Sequence, residues 1–143
     1  MAVVYFDSSA LVKLVLDEPG SDVVAVLWNS CDAALSSRLA YPEVCAALAA
    51  ALRNHDLTES EAVEAATEWE LFWSSMRPVE LSADVERMSG HLATLLRLRG
   101  ADAVHLASAL TLDMADLIVA VWDRRLHAAV AAAGLAVAPA QIH

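Results

Sequence analysis

Val3-Val-Tyr-Phe6 is an unbroken run of β-branched and aromatic residues that reaches a helical pattern, Ser8 to Leu16, with only Asp7 in between. A strand apolar on both faces has to be covered on both faces, and one that turns straight into a helix is the opening half of a parallel crossover unit. The same alternation continues along the chain. Asp17-Glu-Pro-Gly20 ends the first helix, and the sequence predicts a second from Ser21 to Asn29 and a brief strand from Ala33 to Ser36. Pro42 stands where a first-turn proline opens a helix running to about His55, with Glu43 in its first turn. Thr58-Glu-Ser-Glu61 is a capping-box pattern for a helix to about Met76, and Pro78 to Leu81 reads as an edge strand. Ser82 caps a helix to about Leu98 that breaks at Gly100, after which Ala101 to Leu112 is helical again, with Asp102 in its opening turn. Leu117 to Trp122 reads as a buried strand ended by Asp123, followed by a helix from Arg124 to Ala133, Gly134 and a last strand from Leu135 to Ala138. The expected fold is α/β: a parallel central sheet of about five short strands with helices on both faces, in a single domain over residues 1–143.

Charge narrows the function. Nine Lys and Arg against nineteen Asp and Glu give a net charge of −10, so diffuse attraction to nucleic acid or anionic lipid is excluded and any polyanion has to be met locally. An apolar content of 58% and a mean hydropathy of +0.48 raise the question of a membrane span. Asp113 and Asp116 interrupt the apolar stretch from Ala103 to Trp122, and the tail from Ala128 to Ile142 is short and carries Gly134 and Pro139. No spanning helix is expected. The opening residues show no cationic leader and an acid at Asp7, so the expected location is the cytoplasm. Cys31 and Cys45 form neither a disulfide framework nor a metal-binding pair and are expected as reduced, buried thiols.

In open parallel sheets ligands bind beyond the carboxyl ends of the strands. Asp7 and Asp123 end strands there, while Glu43 and Asp102 enter helices in their first turns, so four carboxylates are positioned to meet at one edge of the sheet. Clustered carboxylates repel one another unless a cation joins them. An oxygen-only set with no His/Cys framework favours Mg²⁺ or Mn²⁺ over Zn²⁺, and such ions serve phosphodiester hydrolysis. An anionic polymer would then need local cationic guides, for which Lys13, Arg38, Arg124 and Arg125 stand near the acids in sequence.

Each acid also has a purely structural reading. Asp7 and Asp123 suit N-caps, and Glu43 and Asp102 suit the positive ends of helices. Asp113 and Asp116 read as turn or surface acids, and Glu59, Glu61, Glu64, Glu68 and Glu70 as a solvated helix face. His105, one turn after Asp102, can reach the site, but between Val104 and Leu106 it suits a packed helix histidine. Trp69, Phe72, Trp73 and Met76 recur at helical spacing, as a core stripe or as a groove or dimer surface.

Val3-Val-Tyr-Phe-Asp-Ser-Ser-Ala-Leu-Val-Lys13, Tyr41-Pro-Glu-Val-Cys45, Gly100-Ala-Asp-Ala-Val-His-Leu-Ala-Ser-Ala-Leu110 and Val121-Trp-Asp-Arg-Arg-Leu126 together resemble the PIN-domain ribonucleases, specifically the VapC toxins of bacterial toxin–antitoxin pairs. The resemblance spans nearly the whole chain. It implies a Mg²⁺- or Mn²⁺-dependent endoribonuclease with Asp7, Glu43, Asp102 and Asp123 as its acidic quartet. It also implies a homodimer and a VapB-like antitoxin that covers the site and carries the DNA contacts. Many relatives have Ser or Thr two residues before the last acid, where this chain has Val121. Ser8 and Ser9 remain after the first acid, to support a metal-bound water or a phosphate or simply to cap the helix. Two other readings compete. A PIN-like scaffold could bind RNA or protein without turnover. A phosphohydrolase of the haloacid-dehalogenase kind would use Asp7 as a covalent nucleophile, but it expects a second Asp where Ser9 stands.

Overall fold

Val3–Phe6 (β1) is buried along its whole length in a computed structural model that describes residues 2–142. The other elements follow in chain order: Ser8–Val15 (α1), Ser21–Ser30 (α2), Ala33–Ser37 (β2), Ala40–Arg53 (α3), Glu59–Ser74 (α4), Arg77–Val79 (β3), Ala83–Leu96 (α5), Gly100–Thr111 (α6), Leu117–Ala120 (β4), Arg124–Ala132 (α7) and Ala136–Ala138 (β5). All strand pairings are parallel and the order across the sheet is β3-β2-β1-β4-β5. The chain therefore lays down one half of the sheet outward from β1 and then returns to lay down the other half on the opposite side. Between β1 and β4 the direction of winding reverses, which is where the crossover helices part and leave a crevice.

The period of two along β1 sorts its side chains between two cores. Val4 and Phe6 join Leu11, Val24, Val44, Leu48 and Trp69 beneath α1 to α4. Val3 and Tyr5 join Leu98, Leu106, Leu126 and Val130 beneath α5 to α7. The α/β class, the five parallel strands and the helices on both faces stand as the sequence predicts.

The details differ at element ends. β4 stops at Ala120 rather than Trp122, although the Val121 amide still donates to the Ala138 carbonyl at 2.9 Å. β3 spans Arg77–Val79, starting one residue and ending two residues before the expected bounds, as an edge strand on β2. Between α5 and α6 the turn is made by Arg97 with φ 55°, not by Gly100, which opens α6. The aromatic stripe is core, although α4 ends at Ser74 rather than near Met76: Trp69 and, just beyond the helix, Met76 are buried, and Phe72 and Trp73 pack against the same core. The acids of α4 are all exposed, as expected of a solvated face, and two of them also bond: Glu61 completes the capping box with Thr58 and Glu70 accepts from the Tyr41 hydroxyl. Cys31 and Cys45 are free and half-buried rather than buried. Among the described residues no helix is long and apolar enough to cross a membrane.

Candidate active site

Because β1 runs into α1 without a loop, Asp7 sits at the strand end and at the helix N-cap together. Its Oδ1 accepts from the Ala10 amide at 3.0 Å and from the Ser9 hydroxyl at 2.6 Å. Ser9 Oγ in turn accepts from the Trp122 amide at 2.9 Å, which ties the start of α1 to the segment that leaves β4. No donor among the described residues is bonded to Asp7 Oδ2. Asp7 is 3% exposed, and this burial pushes its carboxyl up to about 6, against the opposing pull of His105, Ser9 and the Ala10 amide. The capping reading of Asp7 is thus correct, and it does not compete with the functional one.

Glu43 projects from the first turn of α3. Its Oε1 lies 2.6 Å from His105 Nε2, and His105 Nδ1 lies 2.8 Å from the Tyr5 hydroxyl. Burial pushes the Tyr5 phenol far up, so it stays protonated and donates to Nδ1. With the Nε2 proton donated to Glu43, the hydrogen-bonding groups of all three side chains are satisfied. His105 is a packed helix histidine, as its neighbours suggest, and it also fixes the orientation of a site carboxylate.

Asp102, in the first turn of α6, and Asp123, the N-cap of α7, meet through Arg99. The guanidinium donates from Nε to Asp102 Oδ2 and from Nη2 to Asp123 Oδ2, each at 3.0 Å. The Arg99 side chain is 70% exposed, and the two acids hold its charge. Asp123 Oδ1 meanwhile caps α7 by accepting from the Leu126 amide at 2.9 Å.

All four acids line one cleft of about 460 Å³, together with Ser8, Ser9, Val12 and Arg99. It opens at the carboxyl ends of β1 and β4, where the winding reverses. Among the described residues no three His, Cys, Asp or Glu groups are gathered tightly enough to hold an ion as they stand. The reason is local: Arg99 stands between Asp102 and Asp123, and His105 draws on Glu43. The donor set nonetheless fits a hard divalent cation. It consists of carboxylate oxygens, one of them on a buried acid whose second oxygen has no protein donor, and the one basic group among them is an exposed, long side chain.

Of the expected guides, Arg124 and Arg125 line an adjoining cleft with Arg99, Trp122 and Asp123. Lys13 and Arg38 do not line the acidic cleft. Lys13 is bonded to Glu18 at 3.0 Å, and Arg38 to Glu80 at 2.7 Å. Ser8 lines the cleft, whereas Val121 is fully buried in the core beneath α5 to α7 and does not line it. Arg99 is the site residue that the sequence reading missed. Its spacing of three residues before Asp102 on an opening helix was the available signal.

The family model described as PIN domain matches residues 4–132. Ribonuclease VapC45 and Ribonuclease VapC49, from the CDC 1551 / Oshkosh and H37Rv strains of Mycobacterium tuberculosis, are each 65% identical over 142 residues, covering 99% of this chain and 99% of theirs. Among solved structures, the fold is shared with a member of the VapBC family of toxin–antitoxin systems, VapBC-5 from Mycobacterium tuberculosis, at a TM-score of 0.64 and 18% identity, over 96% of this chain and 98% of that one.

Proposed function

The chain belongs to the PIN-domain family and, within it, to the VapC ribonucleases of toxin–antitoxin pairs, and on that premise we propose that it hydrolyses RNA with Mg²⁺ or Mn²⁺ held by Asp7, Glu43, Asp102 and Asp123. The observation that carries this reading is the meeting of four carboxylates from four separate elements around one cleft. A divalent cation held by these four carboxylates would supply activation of the attacking water and charge neutralisation at the departing oxygen.

The chain's own residues supply the rest. Ser9 and the Ala10 amide hold Asp7 Oδ1 and leave Oδ2 as the ligand oxygen. His105 orients Glu43, as a neighbouring histidine or carboxylate orients a metal ligand in many sites. Arg99, an exposed side chain in the same cleft, would offer its planar fork of donors to a phosphate oxygen. The antitoxin partner of a chain with net charge −10 is expected to bring a basic segment, and through its own DNA-binding part the pair would contact DNA. We read the working form as a cytoplasmic homodimer.

The test is direct. Purified protein should cut RNA internally with Mg²⁺ or Mn²⁺ and not in EDTA, and Asp7→Ala and Asp102→Asn should abolish cutting while both variants stay folded. Undiminished cleavage by both variants, or activity unaltered by EDTA, would refute the mechanism. RNA that is bound but never cut would leave a non-catalytic scaffold. Mapping RNA ends in cells after brief induction, wild type against Asp7→Ala, would name the target.

A further inference from the structure

Beside the acidic cleft lies a second one of about 520 Å³, lined by Arg99, Trp122, Asp123, Arg124 and Arg125. Arg99 and Asp123 line both, so they form a common wall. We propose that the second cleft is a nucleotide subsite in which a base next to the scissile phosphate stacks on the Trp122 indole while Arg124 and Arg125 hold backbone phosphates. The inference deepens the reading that RNA is the substrate.

Charge places the strand here. An acidic protein repels RNA over most of its surface, so the strand must pass where cations remain free of carboxylate partners. Lys13, Arg38 and Arg99 are all bonded to acids, and of the six arginines among the described residues that are not, Arg53, Arg77, Arg87 and Arg97 line neither cleft, which leaves Arg124 and Arg125 beside the carboxylates. Arg124 and Arg125 are exposed, and among the described residues neither is paired with a carboxylate. They open α7, immediately after Asp123, so a phosphate chain leaving the acidic cleft across Arg99 meets them next.

The indole is held in advance of any ligand. The Trp122 backbone is tied to Ser9. Gly20, at φ +95°, comes so close that an added Cβ would lie 2.7 Å from the indole Nε1. Lys13 Nζ stands 5.6 Å from the ring centroid. A ring fixed by such neighbours loses little freedom when a base stacks on it. An aromatic platform beside paired arginines is the arrangement that binds single-stranded nucleic acid with little regard to sequence. The Asp7–Ser9–Trp122 hydrogen bonds run through the Trp122 backbone amide and tie the segment that carries the indole to the first acid.

Fluorescence anisotropy of fluorescein-labelled oligouridylate and oligoadenylate dodecamers, in EDTA and over a salt series, tests the subsite alongside cleavage kinetics in Mn²⁺. Trp122→Leu should weaken binding about ten- to a hundred-fold, and Trp122→Phe, which keeps an aromatic face, should lose only a few-fold. Arg124→Ala and Arg125→Ala should each flatten the slope of log affinity against log salt by roughly 0.7. In cleavage, KM should rise in all of these while kcat holds. Wild-type affinity and KM in Trp122→Leu overturn the subsite, as does an unchanged salt slope in the double arginine variant. The two exposed arginines decide the matter if Trp122→Leu fails to fold. Variants that lose the antitoxin but keep RNA mark the cleft as a protein contact and equally overturn it. Wild-type protein that cuts no RNA overturns the ribonuclease reading instead, a result distinct from cutting with an unaltered KM.

Discussion

Asp7→Asn should make the metal-free protein more stable while abolishing RNA cleavage. Burial lifts the Asp7 carboxyl from 3.8 to about 6, so between those values the folded chain binds a proton that the unfolded chain releases. Stability contributed by this group is therefore greatest at acid pH, falls as pH rises through the window, and above about 6 the full penalty applies. The size of the shift corresponds to about 3 kcal/mol. Asparagine removes the charge and keeps an Oδ1 acceptor for the Ala10 amide and the Ser9 hydroxyl, so the cap of α1 survives. Its amide nitrogen takes the position of Oδ2, which has no protein donor to lose. The expected gain at pH 8 is about 1–3 kcal/mol, on the order of 3–10 °C in Tm for a chain of this length. The gain should shrink toward nothing near pH 4. Urea denaturation of both proteins across this range, in EDTA and with unchanged m values, measures it. Saturating Mg²⁺ should then raise the wild type and leave Asp7→Asn nearly unmoved. An asparagine variant no more stable than wild type at pH 8, or a gain that persists undiminished at acid pH, would refute the claim that burial of this charge opposes folding.

Other residues give simpler expectations. His105→Gln should lower cleavage about 10- to 100-fold, because Glu43 loses the group that orients it. The same variant should lose about 1–3 kcal/mol in a urea melt, because the buried Tyr5 hydroxyl loses its acceptor. Gly20→Ala combines a left-handed backbone with a Cβ driven against the Trp122 indole, and should cost about 1–3 kcal/mol by thermal denaturation. Thr58→Ala removes the side-chain acceptor for the Glu61 amide at 3.1 Å and should cost about 1 kcal/mol while leaving cleavage untouched.

What could be read from the sequence followed from local rules. The apolar run of β1, the capping box at Thr58 and Glu61 and the acids at strand and helix ends each act within a few residues of themselves, so their neighbours announce them. Two of the four expected guides, Lys13 and Arg38, stand away from the acidic cleft for a reason of the opposite kind. Lys13 is close to Asp7 along the chain, but six residues of helix carry it one and two-thirds turns around α1, to Glu18 and a place over the Trp122 ring. Arg38 follows β2 closely, yet its partner Glu80 comes from beyond β3, 42 residues away. Arg99 went unread because its second partner, Asp123, is 24 residues on and reaches it only once β4 has been laid beside β1. His105 carried two signals, an apolar setting and a place one turn after Asp102, and the structure satisfies both.

The four acids could not stand together bare, and each is made tolerable by a different means. Asp7 is buried, with its proton affinity raised and one oxygen bonded by Ser9 and the Ala10 amide. Glu43 receives the Nε2 proton of His105, whose tautomer is set in turn by Tyr5. Asp102 and Asp123 share the single charge of Arg99. Because these arrangements are separate, the carboxylates line one cleft without closing into a cage, and repulsion between them is relieved one acid at a time. A divalent ion bound among them would relieve all four at once. It would displace no protein donor from Asp7 Oδ2 and would compete with Arg99 for the other two aspartates.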